Sequence, residues 1–435
     1  MGISCYYVGG CVRDSLLGIP SEDIDICLIG VTDKSQVMEV LGKHASKVAQ
    51  EVGETFPVWI ATVGGQKVDF ALGRAEKRTG DTRKDFSILI EGVTLEEDLR
   101  RRDLTINAIA QCCLTGEIKD PFGGQRDLHS RVARAVSSAF SEDPLRVYRL
   151  ARFCARFELA PTWDTICLCR NIAHVGISPE RVGMELHKMF EQAKTPSVFF
   201  EVLQTIGWLK YHFPQVEALI GLEQNPEYHP EITVWNHTMA CMDQAKSPFI
   251  RCVMLCHDFG KVTTTERNPN GKITSIGHEL AGVPMTVDML TSIKFCDNRT
   301  LKQICCLVEL HMLHTKQISR KLIKKTLRKL LSVGLDYDTL VEVCRCDVSG
   351  RPPIEGYTPD IGQKIAIEIM AQNELVPIVT GDILLELGFS QSKEFGDVMR
   401  KALELQDRGS LNQDNWLKIL NGTNEFKTLK KLNIF

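Results

Sequence analysis

The chain has 435 residues, 43% of them apolar and 25% charged, enough for two to four domains with real cores. A formal net charge of −3 excludes a globally basic nucleic-acid binder, so any such surface must be a local patch. No apolar run reaches the roughly 18 residues that would suggest a membrane span, and no signal peptide opens the chain, which predicts a soluble, cytosolic protein. The 16 cysteines are scattered and form no Cys-x-x-Cys, which argues against a zinc cage; many sit in apolar helical context and read as reduced core residues.

Residues 6–29, YYVGGCVRDSLLGIPSEDIDICLI, read as strand, Gly-Gly break, short helix and strand. Gly18 stops the helix, with Pro20 just beyond. In the second strand Asp23 and Asp25 share one face, while Ile24 and Ile26 take the other, towards a core. Two carboxylates side by side repel unless a cation sits between them, and Mg²⁺ is the usual hard-ligand resident. Gly9-Gly10 lets backbone amides approach a phosphate at a helix start, and Arg13 adds a charged donor.

Residues 1 to about 135 alternate strand and helix. SQVMEVLGKHASKVA has helical spacing, and FPVWIATVGG with QKVDFALG reads as a hairpin. Asp69, among Val68, Phe70 and Ala71, is either a third carboxylate for the same metal or the partner of a nearby arginine. GRAEKRTGDTRKDF reads as a mobile loop. In LEEDLRRRDLTINAIA, Arg100, Arg101 and Arg102 stand before what reads as a helix, awkwardly close to its positive end unless an anion docks there. DPFGGQRDL reads as a closing turn.

In SEDPLRVYRLARFCARF, Asp143 reads as an N-cap with Pro144 at the first helical position. Arg146, Arg149, Arg152 and Arg156 then form one stripe, without matching acids, that reads as an anion surface. Asp143 and Arg146 can present an acceptor and a donor side by side. Residues 158–225 read as a helical spacer.

A histidine series follows: His229, His237, His257-Asp258, His278 and His311, with Asp347 later. Adjacent His257-Asp258 at the end of an apolar helix, flanked by the others, reads as a centre for a divalent transition metal, with Asp258 able to bridge two ions. Lys261 is placed to contact a phosphate. KQISRKLIKKTLRKLL reads as a basic amphipathic helix, either facing nucleic acid or simply solvated. The last 75 or so residues read as helical and polar, with no role assigned.

GGCVRD with DIDI, RRDLTINAIA, DPFGG and EDPLRVYRLARFCARF resemble, in order, the class II tRNA nucleotidyltransferases, the CCA-adding enzymes. HPEITVWNHT, CHDFGK, GHELAG and Asp347 resemble the HD phosphohydrolase domain fused to the bacterial multifunctional members. The resemblance covers about residues 1–350. It implies an α+β fold: a small mixed-sheet nucleotidyltransferase head (1–140), an all-helical neck and body (141–225), an all-helical HD domain (226–350) and a helical tail (351–435). It implies Asp23, Asp25 and Asp69 as catalytic carboxylates, the first two holding Mg²⁺. Gly10, Arg13 and Arg102 would bind the triphosphate; Asp143 and Arg146 would read the base, with Arg149 lining the ATP/CTP pocket. His237, His257, Asp258 and Asp347 would hold the HD metal, with Ni²⁺ suggested for phosphatase activity, and His278 and His311 are candidates for a second ion. The implied partners are tRNA, ATP and CTP, acting on a monomer or homodimer. A poly(A) polymerase, a phosphohydrolase whose head only grips tRNA, and a structural tRNA-binding protein are the rival readings.

Overall fold

The computed structural model describes residues 3–21, 23–31, 33–48, 58–78, 86–89, 92–227, 232–350, 360 and 362–432. The fold is mixed α+β, with one seven-stranded sheet near the start of the chain, three two-stranded pairs among the described residues, and helices making up most of the rest. Two compact units form: Met1–Glu217 with Ser292–Phe295, and Ala218–Thr291 with Cys296–Phe435.

The first unit begins with β1 (Ser4–Val8), α1 (Gly10–Leu16), β2 (Ile24–Ile29), α2 (Lys34–His44), β3 (Lys47–Val48), β4 (Val58–Val63) and β5 (Gln66–Leu72). With two later strands (Ala110–Cys112 and Ile118–Lys119) they build a seven-stranded sheet in the order β3-β4-β5-β2-β1 and then those two. β4 and β5 form the expected hairpin, and β5 runs parallel to β2 with Asp69 opposite Asp25. Alternation along β2 buries it on both sides. Ile26 and Leu28 pack with Val37, Leu41 and Trp59, while Cys27 and Ile29 pack with Val8 and Leu99. Asp25 shares the second side but opens to solvent at the strand's start.

Two expectations fail here. The loop read over 73–86 is partly strand: β6 (Ala75–Arg78) pairs antiparallel with β7 (Phe86–Leu89), and residues 79–85 lie outside the described residues. The arginines at 100–102 do not precede a helix. They end one, α3 (Leu95–Arg100), which a Thr94/Glu97 capping box starts; residues 105–107 make only a 3₁₀ turn before the next strand. Cations at a helix C-terminus are favourable, so the awkwardness disappears.

α4 (Leu145–Phe157) starts at Leu145, with Pro144 as its cap residue; Asp143 Oδ1 accepts from the Leu145 amide at 3.1 Å. It buries Val147, Tyr148, Leu150 and Ala151 completely against α5 (Pro179–Gln192) and α6 (Ser197–Ile206).

The second unit carries α7 (Val234–Gln244), α8 (Pro248–Cys256), α9 (His278–Ser292), α10 (Asn298–Leu310), α11 (Arg320–Ser332) and α12 (Tyr337–Ser349). Val253, Leu255, Phe259, Leu307, Leu330 and Val343 are fully buried. The tail has a core of its own, with Leu384, Val398, Leu420 and Leu429 fully buried between α13 (Lys393–Asp407), α14 (Asn424–Leu432) and shorter helices. The basic helix α11 does not present a bare cationic face. Arg320 pairs with Glu368 and Glu374, Lys324 with Glu374, Arg328 with Asp407 and Lys329 with Glu309.

Candidate active site and metal centre

A cleft of about 640 Å³ in the first unit is lined by Gly9, Gly10, Arg13, Asp23, Asp25, Arg102, Asp143, Arg146 and Arg149. These residues come from four stretches of chain. Arg152 and Arg156 of the predicted stripe line it too, and Asp103, Arg181 and Lys188, to which the sequence reading gave no role, join them.

Gly9 turns the chain from β1 into α1 at φ +74°, and a Cβ there would stand 2.9 Å from Arg102 Nη1. Asp25 carries its carboxyl above the usual range. The first cause is loss of solvent in the cleft, with Asp69 and Asp23 adding repulsion and Arg102 opposing it. Asp69 does not line the cleft; among the described residues its ion-pair partner is Lys67, 4.0 Å away, rather than an arginine, and its buried Oδ1 has no hydrogen-bond partner. Arg102 contacts Asp98 at 3.2 Å, while its Nε is buried and unpartnered. Carboxylates that crowd one another beside an unsatisfied buried oxygen fit a hard divalent cation. An unsatisfied guanidinium nitrogen opposite them fits a phosphate.

Arg13 lines the cleft wall but is buried there, its guanidinium already engaged. Its guanidinium donates to Asp14 at 2.8 Å and to Asn107 at 2.5 Å, and lies over Phe157. Burial lowers its pKa, against the pull of Asp14.

The arginine stripe does have acids, all supplied from elsewhere in the chain. Arg149 pairs with Asp103 at 2.7 Å, Arg152 with Glu185 at 2.5 Å and Arg156 with Asp14 at 3.2 Å. Burial opposes ionisation of Asp103, but Arg149, Asn107 and the Leu104 amide outweigh it and hold the carboxyl well below its usual range. Arg146 is the member that forms no ion pair among the described residues; it donates to the Ala139 carbonyl at 2.6 Å. Arg181 grips Asp143 at 2.7 Å, fixing the carboxylate beside Arg146. Arg181 and Glu185, one turn apart on α5, are a signal that charge spacing could have exposed.

The histidines gather in the second unit, apart from His229, which lies outside the described residues. His237, His257, Asp258, His278, His311 and Asp347 are all buried. They fall into two donor groups: His237, Cys241, His257 and Asp347; and Asp258, His278 and His311. In each group the ligand atoms lie within 4.8 Å of one another. Cys241 was missed, although it sits one turn after His237 on α7.

Backbone carbonyls set the imidazole tautomers. His257 Nδ1 donates to Met254 at 2.7 Å, His278 Nδ1 to Ser275 at 2.7 Å and His311 Nδ1 to Val308 at 2.6 Å. A carbonyl only accepts, so each Nδ1 bears a proton, and Nε2 is the inward nitrogen left to bind a metal in the neutral ring. His278 Nε2 and His311 Nε2 stand 3.1 Å apart, and His257 Nε2 has no hydrogen-bond partner. Burial, and then the neighbouring His278 and His257, hold His311 well below the usual imidazole range, hence neutral. Converging neutral lone pairs fit a transition metal. Asp258 points Oδ2 at His257 (3.2 Å) and Oδ1 at His278 (3.3 Å), the disposition a bridging carboxylate needs. Lys261 is not free for a phosphate: it is buried, 2.7 Å from both Asp258 and Gln224. A cavity of about 370 Å³ opens onto Asp258, His278, His314 and Asp347.

Comparison with known proteins gives the same outline. The Poly A polymerase head domain family matches residues 5–134. The multifunctional CCA protein of Cupriavidus metallidurans is 42% identical over 295 residues, spanning 64% of this chain and 68% of its own. That of Laribacter hongkongensis is 36% identical over 391 residues, 87% of this chain and 92% of its own. Among solved structures, the Bacillus stearothermophilus CCA-adding enzyme in complex with CTP superposes with a TM-score of 0.63 at 21% identity, covering 99% of this chain and 94% of that one. The Thermotoga maritima CCA-adding enzyme complexed with tRNA has a TM-score of 0.57 at 20% identity, covering 99% and 92%. At those identities the structures speak for the fold, while the two curated relatives carry the family. The chain belongs to the multifunctional CCA proteins, nucleotidyltransferases of the CCA-adding class.

Proposed function

We propose that this protein adds C, C and A to the 3′ end of tRNA from CTP and ATP, and that its second unit hydrolyses 2′,3′-cyclic and terminal phosphates on damaged ends. The observation that carries the first part is the single cleft shared by Asp23, Asp25, Asp143 and Arg146. We assign residues 1–140 to the head, 141–225 to neck and body, 226–350 to the HD domain and 351–435 to a tail.

The tRNA 3′-oxygen forms a bond to the α-phosphorus, the bond to the β-phosphate oxygen breaks, pyrophosphate leaves and the hydroxyl proton is lost. Mg²⁺ held by Asp23 and Asp25, with Asp69 behind, supplies activation of the hydroxyl and neutralises charge on the leaving group. Arg102 offers its unpartnered Nε to the triphosphate, and the Gly9-Gly10 turn leaves room for it. Arg13, engaged by Asp14 and Asn107, acts chiefly by bracing the turn.

Cytosine and adenine both show an exocyclic amine beside a ring-nitrogen acceptor. Asp143 keeps acceptor capacity after binding Arg181 and the Leu145 amide, and Arg146 keeps donors after binding Ala139. Carboxylate to amine and guanidinium to ring nitrogen fit C and A. Uracil and guanine would set a carbonyl against the carboxylate, at a cost of about 1–3 kcal/mol. No template strand is needed. Arg149, clamped by Asp103, holds this helix face in place.

The hydrolytic reading is supported by the relatives' printed name, which is multifunctional, and by the two donor groups. A transition metal there, Ni²⁺ being the ion the family resemblance suggests, supplies a hydroxide near neutral pH.

The test is stepwise addition on tRNA ending at its discriminator base, with CTP and ATP given separately and together. We expect two C additions with CTP alone and A only after them. Addition of A alone would replace this reading with a poly(A) polymerase. Asp143→Ala should raise U and G incorporation relative to C and A; unchanged selectivity would remove Asp143 as the base reader.

A further inference from the structure

We propose that the Cys241 thiolate is a fourth ligand of the ion held by His237, His257 and Asp347, making this centre selective for soft transition metals. The proposal rests on the metal-centre reading above and adds a sulfur donor to it.

Cys241 lies one helical turn after His237 on α7, so both side chains leave the same face. Its Sγ is fully buried and 3.4 Å from His237 Nε2. In a tetrahedral site, metal–sulfur and metal–nitrogen bonds of about 2.3 and 2.0–2.1 Å put the two donors about 3.5 Å apart. The observed spacing already matches. Across the site His257 is tied through Nδ1 to the Met254 carbonyl, which leaves its buried Nε2, without a hydrogen-bond partner among the described residues, as the nitrogen that can bind a metal. It points to a cation that the sulfur can share. Room for the sulfur comes from Gly350, where a Cβ would collide with Sγ. The alternative use of the thiol is weak: its sulfur is 3.7 Å from the Asp347 carbonyl.

The two donor groups then differ in kind. His237, Cys241, His257 and Asp347 supply four protein donors besides the bridging Asp258, so this ion needs no water, the pattern of a tightly held one. Asp258, His278 and His311 offer three donors, and Asp258 and His278 face the cavity. An open position remains there for water or a phosphate oxygen. Thiolate favours zinc and cobalt over magnesium or manganese. On binding, the metal replaces the thiol proton, which leaves to solvent.

The test uses the full-length protein, stripped with a chelator and refilled with Co²⁺. Wild type should show a near-ultraviolet thiolate-to-cobalt charge-transfer band. Cys241→Ser should lose that band, and cobalt affinity should fall by at least the roughly 10–100-fold that loss of an outer hydrogen-bond partner costs. His278→Ala should keep the band. Cobalt bound without the band, or a band unchanged in Cys241→Ser, overturns the sulfur ligand and leaves the metal centre standing. No cobalt uptake by wild type overturns the metal centre itself. X-ray absorption on the zinc-loaded wild type needs no variant: a sulfur scatterer at about 2.3 Å is expected, and nitrogen and oxygen neighbours alone would refute the proposal.

Discussion

A methyl group at Gly9 would meet two obstacles at once. The backbone there has φ +74° and ψ −126°, a region open essentially to glycine, and the added carbon would press on Arg102 Nη1 at 2.9 Å. Gly9→Ala should therefore lower stability by about 1–3 kcal/mol in urea denaturation and raise the KM for CTP, because Arg102 is the group displaced. A stable variant with unchanged KM would detach the turn from triphosphate binding. At Asp103 protonation couples stability to pH. Its folded pKa lies below the unfolded value of about 3.9, so its pairing with Arg149 stabilises the protein above that value. That contribution fades as pH falls through the folded pKa. Asp103→Asn should cost about 1–3 kcal/mol at pH 7, towards the low end because Arg149 is one-third exposed. The gap between variant and wild type should hold down to about pH 5 and shrink below about pH 4. A gap independent of pH would mean that the ionic pairing contributes nothing.

Among the elements, α11 shows what charge counting misses. Its cations look like a nucleic-acid face, yet Glu374, Asp407, Glu368 and Glu309 claim four of them. Glu374 and Asp407 belong to the tail, so the basic helix serves as the tail's docking strip. Lys324 is the buried member, with 8% of its side chain exposed, 2.9 Å from Glu374. Lys324→Ala leaves that carboxylate to Arg320 alone and removes a packed stem. We expect a loss of about 1–3 kcal/mol and faster proteolysis within 360–432, with tRNA affinity and its salt dependence unchanged. A salt slope reduced by about one unit would return α11 to the RNA surface. The arginines that end α3 teach a related lesson. Arg-Arg-Arg before an apolar run reads as a helix start, and the capping box at Thr94 and Glu97 was the stronger local sign.

For the whole molecule, the dividing line between legible and hidden is sequence distance. Gly9-Gly10, Asp23 with Asp25, and the arginines of α4 announce themselves through local spacing. Their partners do not: Asp103 is 46 residues from Arg149, Glu185 is 33 from Arg152 and Asp14 is 142 from Arg156. Periodicity carries no information across such gaps, so the stripe looked free of acids when the fold had matched nearly all of it. Cys241 differs, since it lies within one turn of His237 and a helical-face reading could have caught it. Membership of different units governs how the two chemistries respond to substitution. The Asp23/Asp25 cleft lies within one compact unit and the histidine centre within the other, and they share no side chain. Energetic coupling between sites without shared partners is usually within about 0.5 kcal/mol, which is less than a threefold change in rate. Asp23→Ala should therefore abolish CTP and ATP incorporation and leave 2′,3′-cyclic-phosphate hydrolysis within about threefold, with His257→Ala doing the reverse. Measured on one tRNA preparation, with folding checked by circular dichroism, the double variant should show the two losses side by side. If either single substitution removed both activities from folded protein, the two centres would have to be read as one.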